Sequence, residues 1–185
     1  MNAGGIEHPP LAPLERLLER LRAHGLAHAL GGSGLLAALG LVDRVRDWDV
    51  TVAASIESLE AACAGLDYAR FGSDGCHADH KLTFERESVE LIADFAFAVD
   101  GGVVKIPTVV TGQWRGLPLG SPTAWATAYA LMGELEDSAR RRERAEMLFE
   151  WLRDQPPERD VIEALLAQPL PESLAARLRA LIRPT

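Results

Sequence analysis

The feature that most constrains the fold of this chain is a glycine turn between an apolar stretch and a leucine-rich stretch. The turn reads Gly31-Gly32-Ser33-Gly34. Glycine adopts positive φ angles at little cost and is unfavourable inside a helix. Residues 26–30 before the turn predict a short buried strand, and leucines at 35, 36 and 39 predict a helix just after it. We therefore expect a strand, a tight turn and a helix in this order.

Two aspartates follow in the next apolar run, as Asp47-Trp48-Asp49. Residues 48–53 predict a strand, in which side chains alternate between two faces. Asp47 and Asp49 should share a face about 7 Å apart, at about 3.3 Å per residue, while Trp48 points to the other. Paired carboxylates suit a hard cation such as Mg²⁺, which prefers oxygen ligands and substrate phosphates. Because glycine turns and helix N-termini accept phosphate groups, the two motifs predict a nucleoside triphosphate site.

Helix signals occur at both ends of the chain. Four leucines at helical spacing predict a first helix that ends near Gly25. These leucines are Leu14, Leu17, Leu18 and Leu21. Ser55 is a candidate N-cap for a later helix, and Ser121-Pro122 has the N-cap and first-turn proline of another.

Alternating and β-branched segments predict strands between these helices. The predicted strands cover residues 67–71, 81–84, 89–97 and 103–110. Helical patterns dominate beyond Gly120. We therefore expect an α+β fold with a mixed-sheet core in residues 1–120 and a C-terminal helical segment, residues 121–185, packed on that core.

The composition argues against several classes of partner. The formal net charge is −8, whereas a nucleic-acid-binding surface needs a basic face, so no nucleic-acid partner is expected. Residues 25–42 carry no charge, but their glycines would interrupt a membrane helix, and no membrane association is expected. Residues 1–10 show no leader pattern, and two cysteines are too few for a disulfide framework. We expect a cytoplasmic protein.

The glycine turn and the aspartate pair together resemble the nucleotidyltransferase superfamily of the DNA polymerase beta type. The resemblance covers residues 26–110 and is closest to small bacterial nucleotidyltransferases, including those that modify antibiotics. Thirteen residues separate Ser33 from Asp47, at the upper end of the family's spacing. The resemblance implies that Gly31, Gly32 and Ser33 bind the nucleotide and that Asp47 and Asp49 are catalytic metal ligands.

Such enzymes usually carry a third carboxylate on a neighbouring strand, and two residues here qualify. Glu90 directly follows the predicted hairpin turn, where the family residue tends to lie, but the family has Asp more often than Glu. Asp94 has the commoner residue type and lies four positions later. We prefer Glu90 as the third catalytic and metal-binding residue and retain Asp94 as the alternative catalytic residue.

Two further segments have more than one interpretation. The segment Cys76-His77-Ala78-Asp79-His80-Lys81 has no matching second half for a closed zinc site. It is interpreted as a polar loop, from which His80 or Lys81 could reach a phosphate of the nucleotide. Trp114 and Arg115 could stack on a base or acceptor, or Trp114 could be a packing anchor.

These residues lead to three hypotheses for function. The first is a metal-dependent enzyme, using Mg²⁺ or Mn²⁺, that moves a nucleoside monophosphate from an NTP, with ATP preferred, to a hydroxyl of a small molecule or protein. The second is a nucleotide-binding or regulatory module of the same fold with weakened catalysis, such as one half of a paired bacterial system. The third is a structural α+β protein whose motif match is a coincidence.

Overall fold

A computed structural model of the protein describes residues 5–74 and 76–182. The chain divides into two compact units, and each is described separately. The first unit comprises residues 1–72, 79–94 and 108–120. The second unit comprises residues 73–78, 95–107 and 121–185. The described residues of the predicted helical segment, 121–182, thus lie in one unit, which also includes two segments that precede Gly120.

The described residues form nine strands and seven helices. The strands are β1 (His28–Leu30), β2 (Trp48–Val52), β3 (Ala69–Phe71), β4 (His80–Phe84), β5 (Val89–Ala93), β6 (Ala96–Val99), β7 (Gly102–Lys105), β8 (Val110–Trp114) and β9 (Leu117–Gly120). The helices are α1 (Leu11–Ala23), α2 (Gly32–Ala38), α3 (Ile56–Ala62), α4 (Pro122–Leu135), α5 (Ala139–Leu152), α6 (Arg159–Leu166) and α7 (Glu172–Ile182).

The first unit is built on a mixed seven-stranded sheet in the order β3-β4-β5-β2-β1-β9-β8. β2 pairs in parallel with β5 and antiparallel with β1, and β1 pairs in parallel with β9. Mixed pairing together with helices confirms the predicted α+β class. Trp48, Val50 and Val52 lie on one face of β2 and are at most 1% exposed, so the core covers this face.

Local signals account for the helices of this unit. The predicted leucine stripe of α1 is buried, and Gly25 follows the helix with a φ of +68°. The hydroxyl of Ser55 accepts a hydrogen bond from the backbone N–H of Ser58 and caps α3 as predicted. Capping satisfies a backbone donor that the first helical turn leaves without an intrahelical partner.

The strand predicted at residues 89–97 is two strands. β5 ends at Ala93, and the next residue, Asp94, has a φ of +51°. Positive φ breaks the extended conformation that an alternating strand requires. β6 then pairs antiparallel with β7 in the second unit. The single strand predicted at residues 103–110 is also divided, because β7 ends at Lys105 and β8 begins at Val110.

The second unit combines the β6–β7 hairpin with helices α4 to α7. Ser121 caps α4 through the backbone N–H of Ala124, with Pro122 in the first turn, as predicted. The Glu158 carboxylate accepts hydrogen bonds from the Ser121 hydroxyl and the Thr123 amide, which joins the start of α4 to the start of α6. Within residues 5–74 and 76–182, no helix is long and apolar enough to cross a bilayer.

Candidate active site

The glycine turn leads directly from β1 into α2. Gly31 is the N-cap of α2, and its backbone N–H donates to the Asp49 carbonyl at 2.8 Å. The helix begins at Gly32, earlier than the predicted start near Leu35, because Gly32 and Ser33 form its first turn. Ser33 is 3% exposed, and its hydroxyl donates to the Asp47 carbonyl at 3.3 Å. The turn is therefore hydrogen-bonded to the backbone of both predicted metal ligands.

Gly32 contacts the Asp49 carboxylate closely. Its φ is +54°, and a Cβ built on it would overlap the Oδ2 and Cγ atoms of Asp49. A side chain at this position would thus be strained by its backbone angle and would displace the carboxylate. The backbone angle and the contact with Asp49 explain why position 32 is glycine, and the sequence alone indicates only part of this reason.

The two aspartates differ in their surroundings. Asp49 is the second residue of β2 and is half-buried, whereas Asp47 precedes the strand and is exposed. Trp48 between them is fully buried. Burial alternates over Trp48, Asp49 and Val50, as expected for a strand with one covered face, and Asp47 lies in the bend just before the strand.

Strand register places Glu90 next to Asp49. The two residues are Cα partners in the parallel β2–β5 pair. Neighbouring strands lie about 4.8 Å apart and paired residues point to the same face, so the two carboxylates extend from one side of the sheet. Asp94 lies beyond the end of β5 and is exposed. The register therefore favours Glu90 over Asp94 as the third carboxylate, and this choice stays a prediction.

Lys81 lies on the same face but far from the glycine turn. It belongs to β4 and pairs with Ile92, two residues beyond Glu90 on β5. Three strand spacings separate β4 from β1, which amounts to about 14 Å at about 4.8 Å each. The structure thus brings the turn, Asp47, Asp49 and Glu90 together and places Lys81 at the side of this group.

The residues of this group fit a magnesium site that the substrate completes. Among residues 5–74 and 76–182, no three His, Cys, Asp or Glu side chains are gathered closely enough to hold a metal by themselves. Mg²⁺ is usually held by one or two carboxylates together with substrate phosphates. Asp47 and Asp49 provide such carboxylate oxygens beside the glycine turn.

The polar segment 76–81 does not form one cluster. His77 belongs to the second unit, where its Nε2 lies 3.0 Å from Glu136 Oε1 and Glu136 also binds Arg141. Asp79 belongs to the first unit and is 1% exposed.

Elsewhere in the first unit, burial raises the pKa of the Cys63 thiol to about 11, which leaves it protonated and unsuited to act as a nucleophile.

Trp114 packs inside the first unit and is not part of a loop. It ends β8, and the turn to β9 contains Arg115 and Gly116. Its ring centroid lies 6.3 Å from that of Trp48 and 6.3 Å from that of His8. Of the two interpretations of Trp114, the packing anchor agrees with the structure. The involvement of His8 was missed, because no local pattern connects residues 40 or more positions apart.

Solved structures with the same fold are nucleotidyltransferases. A candidate nucleotidyltransferase from Thermotoga maritima has a TM-score of 0.55 at 21% identity, over 78% of this chain and 93% of that one. The antibiotic-resistance factor ANT(2″)-Ia in solution has a TM-score of 0.56 at 18% identity, over 92% and 91%. Its crystal structure with adenylyl-2″-tobramycin gives 0.52 at 17% identity, over 92% and 97%.

No family model and no curated protein sequence matches the chain. The structural likeness extends over most of both chains in each comparison. It confirms the resemblance drawn from the glycine turn and the aspartate pair at the level of the fold. The chain has the nucleotidyltransferase fold.

Proposed function

We propose that this chain, which has the nucleotidyltransferase fold, is a metal-dependent nucleotidyltransferase. It moves a nucleoside monophosphate from an NTP, with ATP as the preferred donor, to a hydroxyl of a small molecule or protein. One observation carries the proposal. The turn at Gly31 and Ser33 is hydrogen-bonded to the backbone of Asp49 and Asp47, and Glu90 is the register partner of Asp49.

The roles of the residues follow from their positions. The resemblance assigns triphosphate binding to the turn, where the absence of a side chain at Gly32 leaves the Asp49 carboxylate in contact with the backbone. Asp47 and Asp49 hold Mg²⁺ or Mn²⁺, which neutralises phosphate charge when bound. The acceptor oxygen forms a bond to the α-phosphorus while the bond to the pyrophosphate oxygen breaks. Glu90 receives the proton of the acceptor hydroxyl, as a general base within reach of the attacking group.

The charge of the site favours a cationic or neutral acceptor. Asp47 is exposed, and Asp49 and Glu90 are half-buried on the same sheet face. The formal net charge of the protein is −8. An acidic surface repels the phosphate backbone of DNA or RNA and attracts cations. We therefore propose a small molecule or a protein as the acceptor and no nucleic acid.

A nucleotide-binding or regulatory module with weakened catalysis is the second candidate. One observation favours it: the preferred third carboxylate, Glu90, is Glu where the family more often has Asp. Such a module would bind nucleotide with metal but would release no pyrophosphate. One half of a paired bacterial system would behave in this way.

A label-transfer screen tests the proposal. The protein is incubated with α-labelled NTPs, Mg²⁺ or Mn²⁺ and a panel of metabolites and antibiotics, and labelled products and pyrophosphate are measured. Asp49→Asn should abolish transfer and leave the melting temperature close to wild type. The control Asp100→Asn, at an exposed turn of the second unit, should leave both transfer and the melting temperature at wild-type values.

The other possible results of the screen point to different functions. Nucleotide binding without pyrophosphate release supports the regulatory module. No metal-dependent nucleotide binding supports a structural protein. If Asp49→Asn keeps its metal-dependent activity and only melts at a lower temperature, Asp49 is a structural carboxylate whose hydrogen-bond partners were lost.

A further inference from the structure

Trp48 separates the two aspartates and is held by residues from distant parts of the chain. It is 0% exposed and is the first residue of β2. Its ring centroid lies 5.6 Å from that of His8 and 6.3 Å from that of Trp114. Side chains alternate along a strand, so the backbone that orients the Trp48 ring also orients the carboxylates on either side of it.

Arg115 connects His8 to Trp114. Its guanidinium carbon lies 4.7 Å from the centre of the Trp114 ring, and its Nη1 donates to His8 Nε2 at 3.0 Å. Arg115 has a φ of +52° in the tight turn between β8 and β9. A long side chain at positive φ is uncommon. The stacking and the hydrogen bond offset this strain, which gives the arginine a reason to occupy a turn position that favours glycine or asparagine.

The segment before α1 brings His8 to this position. The Glu7 amide donates to the Asp43 carbonyl at 2.8 Å, and the Val45 amide donates to the Glu7 carbonyl at 2.7 Å. His8 Nδ1 lies 2.8 Å from the Pro9 carbonyl. A proton on Nδ1 donates to this carbonyl and leaves Nε2 free to accept from Arg115. These backbone hydrogen bonds attach Glu7 to the chain at Val45, two residues before Asp47.

We infer that His8, Trp114 and Arg115 form a clamp on Trp48 that sets the direction of the aspartates beside it. The clamp residues are positioning residues: His8 and Trp114 contact Trp48 directly, and Arg115 holds these two together. The inference rests on the proposed function, because it assigns to the clamp the geometry of the proposed metal ligands.

The clamp should matter more for Asp47 than for Asp49. Asp49 lies within the sheet ladder, with Glu90 on one side and the Gly31 amide on its carbonyl. Asp47 precedes the ladder and is exposed. Loss of the clamp therefore leaves the Asp49 backbone in place and loosens Asp47. The expected consequence is weaker metal binding with unchanged metal-free nucleotide binding.

Arg115→Ala tests the clamp, and Arg70→Ala is the matched control. Arg70 is also an exposed arginine with one principal partner, Glu60. The first measurement uses metal-free protein. The indole N–H resonances of Trp48 and Trp114, assigned with Trp-to-Phe variants, should shift in Arg115→Ala and stay in place in Arg70→Ala, while those of Trp125 and Trp151 should not move in either.

The second measurement is the Mg²⁺ dependence of ATP binding. Arg115→Ala should require about ten times more Mg²⁺ for half-saturation, the lower end of the roughly 10–100-fold loss of metal affinity that follows removal of a group that orients a metal ligand. Arg115→Lys keeps the charge but lacks the planar group that stacks on an indole, so it should behave like Arg115→Ala.

The results separate the inference from the proposed function. If wild-type protein binds Mg²⁺ and ATP together and Arg115→Ala does so equally well, or if the Trp48 resonance does not move, the clamp inference is wrong and the proposed function is unaffected. If wild-type protein shows no Mg²⁺-dependent ATP binding, the proposed function is wrong and the clamp inference is overturned with it.

Discussion

Replacement of Gly32 by alanine is the most informative single change in this protein. Gly32 has a φ of +54°, and a Cβ would overlap the Asp49 carboxylate. Two effects are therefore expected. The residue is strained by its backbone angle, and the carboxylate must move to make room for the methyl group. The first effect lowers stability, and the second changes the proposed metal site.

The size of each effect can be estimated separately. A non-glycine residue in the left-handed region costs about 1–2 kcal/mol. For a domain of this size, each kcal/mol lowers the melting temperature by about 2–4 °C, so a decrease of about 2–8 °C is expected. Misplacement of a catalytic group by about 1 Å can cost about 100-fold in rate. We therefore expect nucleotide transfer by Gly32→Ala to fall by about 100-fold.

Gly40→Ala provides the control. Gly40 also has a positive φ, +74°, but nothing lies within 4 Å of the position that its Cβ would take. Gly40→Ala should show the loss of stability that the backbone angle alone causes and should keep its transfer activity. Melting temperature and pyrophosphate release are measured for both variants. Equal activity in the two variants would refute the argument that the contact of Gly32 with Asp49 is needed at the site.

Two further predictions concern the third carboxylate and pH. Glu90→Gln should lower pyrophosphate release by about 10²–10⁴-fold, the usual contribution of a general base, and Asp94→Asn should stay near wild type; the reverse order would assign the role to Asp94. Burial lowers the pKa of His28 from 6.5, so the unfolded chain binds a proton more readily than the folded protein does. The contribution of His28 to stability is therefore complete above pH 6.5 and is lost as pH falls towards the lowered pKa. His28→Asn should therefore show a smaller decrease in melting temperature on acidification than wild type, and an equal decrease would contradict this assignment.

Sequence patterns determined the elements whose causes are local. The helix of four leucines ends before Gly25, and Ser55 and Ser121 cap the helices predicted for them. The strand, the turn and the helix at residues 26–39 each depend on residues within a few positions, and the resemblance carried by the glycine turn and the aspartate pair predicted the nucleotidyltransferase fold. Spacing along the chain records such relations directly.

Only the tertiary structure decided which distant segments meet. The register that puts Glu90 beside Asp49 depends on strand pairing, the break at Asp94 lies where β5 has ended, and the contact of His8 with Trp114 joins residues far apart in the chain. A strand's alternation shows which side chains share a face but not which strand lies next to it, since register is set by burial of the whole face. For this reason the sequence left Glu90 and Asp94 as alternatives and did not connect His8 or Trp114 to Trp48.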